Sequence, residues 1–212
     1  METSTTAPMN GRRAQAARND QVILDAARAV FVADPGAPIS AVAERAGVGI
    51  SALYRRYASK EELLRKLCSD GLKIYIGEAE AALADGGDPW HAFAGFMRRV
   101  VDADVHSLTI NLAGTFTPDE DLHRDSAHAS ELAERVFDRA VQAGVLRPGL
   151  DVADIAMIFE QLAAVHLGDG ERTAQVRHRY LVLMLDALHL TSAPSLPGPP
   201  PSAEEIALRW IV

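Results

Sequence analysis

Four side chains in the first third of the chain would suit contact with nucleic acid if one short helix carried them. Ser51, Tyr54, Arg55 and Arg56 would share the exposed face of a helix predicted over residues 50–57. Arginine forms hydrogen bonds with guanine edges and with phosphates, and a small residue lets the backbone approach the duplex closely. This combination predicts a helix that enters the major groove of DNA.

Seven histidines raise the alternative of metal or catalytic chemistry. His128 and Glu131 have the i, i+3 spacing of di-iron bundles, but the motif has no second copy. The sequence has neither a Gly-x-Ser-x-Gly elbow nor a glycine-rich phosphate loop, and the single Cys68 excludes an internal disulfide. We therefore expect no catalytic residue, no metal and no cofactor. The alternatives left open are a helical-bundle enzyme and a non-specific DNA-binding protein.

Charge is distributed unevenly along the chain, whose formal net charge is -8. Residues 1–67 carry ten Lys and Arg against seven Asp and Glu, and residues 68–212 carry eleven against twenty-two. We expect the basic part to face phosphate and the acidic part to be repelled by it. The polar N-terminus and the lack of an apolar run of ~20 residues predict a cytoplasmic protein without membrane contact, nucleoid-associated when bound to DNA.

The elements that would position the basic helix form a helix-turn-helix. Helix 1 is predicted over Asn19–Ala33, where the apolar stripe of Ile23, Ala26, Ala27, Val30 and Phe31 has helical spacing. A short helix follows that starts at Pro38 and ends near Ala46. Gly47 provides the conformational freedom for the turn between the two short helices. A capping box of Ser59 and Glu62 predicts the start of a long helix 4 that ends near residue 83.

The whole pattern predicts an all-α protein with four segments. These are a flexible basic arm over 1–18, with Arg12, Arg13 and Arg18; a helix-turn-helix domain over 19–65, with the motif at about 38–57; a helical ligand-binding and dimerisation domain over 66–190; and a proline-rich tail over 191–212. Later helices are predicted near residues 89–106, 108–116, 118–143, 152–167 and 172–190, with a last turn at 204–210.

The second domain is expected to dimerise and to bind a ligand. Helices at 151–168 and 171–190 are strongly apolar, and packing them against a two-fold mate would form a four-helix bundle. The other helices would enclose an apolar or aromatic small molecule. The predicted pocket residues are Phe93, Met97, Val101, His106, Asn111, Phe116, Phe137 and Phe159, with Phe96, Gln161 and His166 as further candidates.

Residues 39–63, together with residues 23–27 ahead of Phe31, resemble the signature of the TetR family of bacterial regulators. The resemblance implies a homodimeric repressor that binds a palindromic operator and is released by a small-molecule effector. It implies that Tyr54 and Lys60 hold the DNA backbone and that Tyr57 packs helix 3 onto the domain. The full predicted DNA-binding set is Ser40, Gly49, Ile50, Ser51, Tyr54, Arg55, Arg56, Tyr57 and Lys60.

Two positions depart from the family pattern. Ala52 stands where a threonine often contacts phosphate, and Pro38 stands where a threonine often caps helix 2. We therefore expect one phosphate contact to be missing and the affinity for the operator to be modest.

Overall fold

A computed structural model describes residues 11–112, 114–189 and 192–207, with side chains from Arg18 onward except those of 109–111, 203 and 207. All regular secondary structure in these residues is helical, which confirms the predicted all-α class. The helices are α1 (Gly11–Ala33), α2 (Ile39–Ala46), α3 (Ile50–Arg56), α4 (Lys60–Ala84), α5 (Pro89–Asp102), α6 (Val105–Leu112), α7 (Glu120–Gln142), α8 (Val152–Ala163), α9 (Gly170–Leu188) and α10 (Ala203–Ala207).

The chain divides into two compact units, Met1–Leu64 and Arg65–Val212, with the division inside α4. None of the described helices is both long and apolar enough to span a membrane. The part of the predicted arm over residues 1–10, the side chains of Arg12, Arg13 and Asn111, and the end of the predicted last turn at 208–210 lie outside the described residues.

The first helix is longer than predicted, because α1 begins at Gly11 rather than at Asn19. Residues 11–18 are mostly alanine, arginine and glutamine, which favour helix, and their lack of an apolar stripe gave no periodic signal. Residues 11–18 of the predicted flexible arm are therefore helical. Further along α1 the predicted stripe is buried except for Val30, which is partly exposed, and Ala27 and Phe31 are fully enclosed.

The turn between α2 and α3 depends on Gly47, as predicted. Its φ of 66° places it in the left-handed region that favours glycine. Its amide donates to the carbonyl of Glu44 at 3.1 Å, and the amide of Val48 donates to that of Ala43 at 3.0 Å. These bonds satisfy two carbonyls at the end of α2. Pro38 is the N-cap of α2, with an extended ψ of 151°, and not its first helical residue.

The start of α4 has the predicted capping arrangement with one difference. The Ser59 hydroxyl accepts from the amide of Glu62 at 3.1 Å. The Glu62 carboxylate reaches back to the amide of Ala58 at 2.7 Å, one residue before the N-cap amide that a standard capping box would satisfy. Both contacts fix the chain where α3 gives way to α4.

The corner between α5 and α6 corrects two predicted boundaries. Asp104 has a positive φ of 49°, which is unfavourable for a residue with a Cβ atom and interrupts the helix. As a result α5 ends at Asp102 rather than near His106, and α6 begins at Val105. His106 therefore lies in the first turn of a separate helix, and its ring is held against the core of the C-terminal unit.

A buried arginine ties this corner to α8 and α9. Arg177 is only 6% exposed, and its Nη1 lies 2.6 Å from Oδ1 of Asp104. Its Nη2 donates to the carbonyl of Ala163 at 3.0 Å and its Nε to that of Val165 at 3.2 Å. One guanidinium thus neutralises a carboxylate and satisfies carbonyls at the C-terminal end of α8, which ends at Ala163 rather than near residue 167.

The proline-rich tail is anchored along the C-terminal unit. Nη2 of Arg147 donates to the carbonyl of Pro194 at 2.7 Å, and His189 stacks on Trp90 with ring centroids 4.0 Å apart. Ser202 and Glu205 then cap α10 reciprocally, with side-chain to amide distances of 3.1 and 2.7 Å. The tail is extended over residues 192–202, apart from isolated bends.

Candidate DNA-binding surface and effector cavity

One face of α3 is exposed and carries most of the predicted contact residues. Ile50 and Tyr54 are 40% and 48% exposed, and Ser51, Arg55 and Arg56 of the same helix are exposed as well. Two further predicted DNA contacts are also exposed, Ser40 in α2 and Gly49 at the N-cap of α3. Leu53 on the opposite face is fully buried and holds α3 against the unit. Among the described residues the side chains of Tyr54 and Arg55 have no hydrogen bond or ion pair.

Arg56 and Tyr57 are held by a residue that the sequence analysis missed. Asp20 of α1 receives Nε and Nη2 of Arg56 at 2.7 Å each, and also the hydroxyl of Tyr57 at 2.7 Å. Burial, and then the hydrogen bond to Asp20, raises the pKa of Tyr57. No local signal pointed to Asp20, since it lies 36 residues before Arg56.

Tyr57 is only 4% exposed, which corrects its place among the predicted DNA contacts. The ring is enclosed in the first unit and the hydroxyl is already bonded to Asp20, so neither faces outward. Its position agrees with the packing role that the family resemblance implied. Arg56 keeps an exposed side chain, but its planar fork is occupied by a bidentate pair.

Lys60 is bonded to the chain between α1 and α2. Its ammonium donates to the carbonyls of Pro35 and Ala37 at 3.0 and 2.8 Å, and it lies 4.9 Å from the centroid of the Phe31 ring. An ammonium has three donors, so one is left over for a phosphate. The geometry gives Lys60 a structural function in addition to the predicted one.

The C-terminal unit contains a cavity of about 920 Å³, within the size range of small-molecule sites. Five aromatic side chains line it: Tyr75, Phe93, Phe96, Phe137 and Phe159. Polar groups at its wall come from His106, Ser126, Ser130, Glu134 and Asp151. Small and apolar residues of the helices line much of the rest, and the tail contributes residues 199–202 and Ile206.

Comparison with known proteins supplies the family. Residues 23–67, which run from α1 to the start of α4, match the model for bacterial regulatory proteins of the tetR family. The chain belongs to the TetR family. It is a transcriptional regulator with a DNA-binding N-terminal domain.

Solved TetR-family structures share the fold over most of the chain. The regulator from Mycobacterium vanbaalenii is 28% identical, with a TM-score of 0.53 over 84% of this chain and 98% of that one. PfmR from Thermus thermophilus is 23% identical, with a TM-score of 0.61 over 78% and 98%. LfrR from Mycobacterium smegmatis, solved with proflavine, is 22% identical, with a TM-score of 0.58 over 79% and 96%. No curated protein sequence matches significantly.

Half of the predicted pocket residues of this TetR-family protein line the cavity. Phe93, His106, Phe137 and Phe159 do, together with Phe96 from the further candidates. Tyr75 and the residues of the tail were missed. The hydroxyl of Tyr75 has no hydrogen-bond partner among the described residues.

Three predicted pocket residues lie elsewhere. Met97 is fully buried in the core, because it faces the neighbouring helices rather than the cavity. Phe116 is enclosed after α6, and Val101 borders a separate void of about 10 Å³. Gln161 and His166 are exposed on the surface and do not line the cavity.

His106 is the most unusual polar group at the cavity wall. Its ring stacks on Phe159 with centroids 4.3 Å apart and meets Tyr75 at 5.6 Å. Its Nδ1 is buried and has no hydrogen-bond partner among the described residues. Burial lowers the pKa of His106 to about 4, so the ring is neutral at pH 7. No group of three or more metal-binding side chains occurs within the described part of the chain.

Proposed function

We propose that this TetR-family regulator is a repressor that binds a palindromic operator as a homodimer and releases it when a small molecule occupies the cavity. The observation that carries the proposal is the exposed face of α3, where the side chains of Tyr54 and Arg55 have no hydrogen-bond or ion-pair partner among residues 18–207 as far as these are described. Groups of this type, on the second helix of a helix-turn-helix, contact phosphates and base edges. The proposed place of action is the cytoplasm, at the nucleoid.

An apolar surface on α9 supports the proposed dimer. Tyr180, Val182 and Leu183 are 48%, 48% and 56% exposed in the single chain. A monomer gains nothing from exposing such side chains together, and a two-fold mate would remove them from water. The proposed interface is a four-helix bundle formed by α8 and α9 of both copies.

The large cavity supports the proposed release. An effector favours the released state only if it binds that state more tightly than the DNA-bound state. The aromatic lining suits an apolar or aromatic molecule. Structural neighbours include LfrR in complex with proflavine and a gamma-butyrolactone receptor, so the shared fold accommodates different small molecules in other proteins.

A gel shift with the DNA upstream of the protein's own gene tests the regulator. We expect specific retardation that survives competitor DNA and weakens steeply with salt, since phosphate contacts release counterions. Tyr54→Ala should weaken binding across all sequences. Retardation that competitor DNA abolishes, or unchanged binding by Tyr54→Ala, would contradict the proposal.

The dimer is tested by Leu183→Asp, which places a charge on the exposed face of α9. We expect a monomer in analytical ultracentrifugation and a loss of operator retardation, because a single helix-turn-helix domain makes too few phosphate contacts. The matched control is Val141→Asp, which replaces a 48%-exposed apolar residue on α7. A dimer that survives Leu183→Asp, or is lost equally in Val141→Asp, argues against α9 as the interface.

A further inference from the structure

We infer that the cavity takes an uncharged, flat aromatic molecule with one hydrogen-bonding group, and that an imidazole nitrogen of His106 recognises that group. This inference rests on the proposed effector role of the cavity and adds to it the ligand class and the residue that selects it. Three features of the cavity wall support it: the aromatic side chains, the charged residues and the imidazole of His106.

The rings of the wall contact one another both by stacking and edge to face. Phe159 is stacked on His106, and Phe96 meets Phe159 edge-on at 6.4 Å and Tyr75 edge-on at 5.4 Å. Aromatic side chains prefer offset-stacked and edge-to-face partners, and a further flat ring extends such an arrangement. The lining therefore favours a planar aromatic ligand over a flexible chain.

The charges of the wall disfavour both kinds of ion. No Lys or Arg is among the lining residues that the structure describes, so a carboxylate would be desolvated there without a cation. The two lining carboxylates, Glu134 and Asp151, are both exposed at the surface. Asp151 already accepts from the amide of Ala153 at 2.9 Å as the N-cap of α8. A buried ligand cation would thus find no enclosed counter-ion, and an uncharged molecule enters at the least cost.

The unpaired imidazole identifies the polar contact. His106 lines the cavity, and its buried Nδ1 has no partner among the described residues, which is unfavourable. A ligand group that hydrogen-bonds to the ring would reduce this penalty. The neutral ring offers one donor nitrogen and one acceptor nitrogen. A hydroxyl both donates and accepts, so it can pair with either tautomer. The geometry points to a phenol-like ligand.

The test compares four ligands that share the naphthalene ring system, and isothermal titration calorimetry on the full chain measures their binding. The probes are 2-naphthol, naphthalene, 2-naphthoate and 2-naphthylmethylammonium. We expect 2-naphthol to bind about tenfold more tightly than naphthalene, equal to about 1.4 kcal/mol, and to exceed both ions by at least that factor. Equal binding by either ion, or no binding by any probe, overturns the inference.

Variants of His106 assign the polar contact. His106→Phe keeps the stack on Phe159, and it should bring 2-naphthol to within about twofold of naphthalene. His106→Gln keeps a donor and an acceptor and should retain part of the preference, which guards against a Phe variant that folds poorly. His166→Gln, on the surface, is the matched control and should bind like the parent. A hydroxyl preference that persists in His106→Phe rejects the assignment.

Operator retardation by the same parent sample separates the two proposals. If 2-naphthol binds as expected but the upstream DNA is not retarded, the regulator proposal fails and the ligand class stands. If the DNA is retarded but the probe series gives the contrary result, only the ligand class fails.

Discussion

In the N-terminal unit the polar groups where α3 ends and α4 begins have protein partners, whereas in the C-terminal unit the imidazole of His106 has none among the described residues. Arg56, Tyr57 and Lys60 are bonded to Asp20 or to backbone carbonyls, which holds the exposed face of α3 in place. His106 lines a large cavity, and its Nδ1 has no hydrogen-bond partner in the part of the chain that the structure describes. The first arrangement would give the proposed DNA-binding face a rigid support, and the second would leave a polar group for the proposed ligand to bond. The predictions below test this contrast.

The largest expected effect compares two phenylalanines, one in each unit. Phe31 is fully enclosed in the first unit, and Phe137 lines the cavity. We expect Phe31→Ala to cost about 4 kcal/mol of unfolding free energy and Phe137→Ala about 2, because a ring beside a void has fewer atoms to lose contact with. Hydrogen exchange of each unit under increasing urea measures both. Equal losses of unfolding free energy would mean that the cavity wall is packed as tightly as the core of the N-terminal unit.

The next effect concerns the buried arginine of the C-terminal unit. Arg177→Met leaves the Asp104 carboxylate and two carbonyls at the end of α8 unpaired, and we expect a loss of about 3 kcal/mol in chemical denaturation. Asp104→Asn is the milder partner variant and should cost about 1 kcal/mol, since an amide oxygen still accepts from the guanidinium. If the two variants lose the same unfolding free energy, the charge of Asp104 contributes more to stability than the hydrogen bonds to the carbonyls.

A pH dependence follows from the lowered pKa of His106. The folded ring titrates at about 4 and an unfolded histidine at about 6.5, so the unfolded state binds more protons between these values. Stability from this group is complete above about pH 6.5 and falls as the pH drops, by about 2.5 kcal/mol at pH 4.5. Tyr75, which faces the ring, stays protonated in this range because burial raises its pKa.

Urea denaturation of the parent and of His106→Phe at pH 7.0 and 4.5 isolates this contribution. The Phe variant lacks the titrating ring, so the difference in stability between the two proteins should shift by about 2.5 kcal/mol between the two pH values. The same difference at both values would show that the ring is protonated in the folded state.

The smallest effect compares neighbouring arginines on α3. Arg55→Ala should weaken operator binding about tenfold and relax its specificity, because this exposed side chain is bonded to no other described residue and can form the proposed DNA contact. Arg56→Ala should change the affinity less than about threefold, since its guanidinium is already paired with Asp20. Fluorescence anisotropy with operator and scrambled duplexes measures both. The reverse order would place the DNA contact on Arg56.

The sequence was most informative where local rules act. Gly47 predicted the turn, Ser59 and Glu62 predicted the start of α4, and the stripe before Phe31 predicted the buried face of α1. Each depends on residues within a few positions of one another, or on a regular period.

The sequence was least informative where distant residues meet. Asp20 and Tyr57 are 37 positions apart, and Asp104 and Arg177 are 73 apart, so no period or local motif links either pair. The break at Asp104 also depends on a backbone conformation that an aspartate rarely adopts. Aromatic candidates for the pocket could be proposed, but whether a ring faces a void or the core, as with Phe137 and Met97, depends on helix rotation.

The extended tail gives the cavity a wall that is easy to exchange. Residues 199–202 touch the void yet belong to no helix, and proline there has no ladder of backbone bonds to maintain. Substitutions in this stretch can reshape the binding site while the helical scaffold and α3 stay intact. Under the proposed function, the ligand preference of the cavity could therefore change while the residues of α3 stay the same.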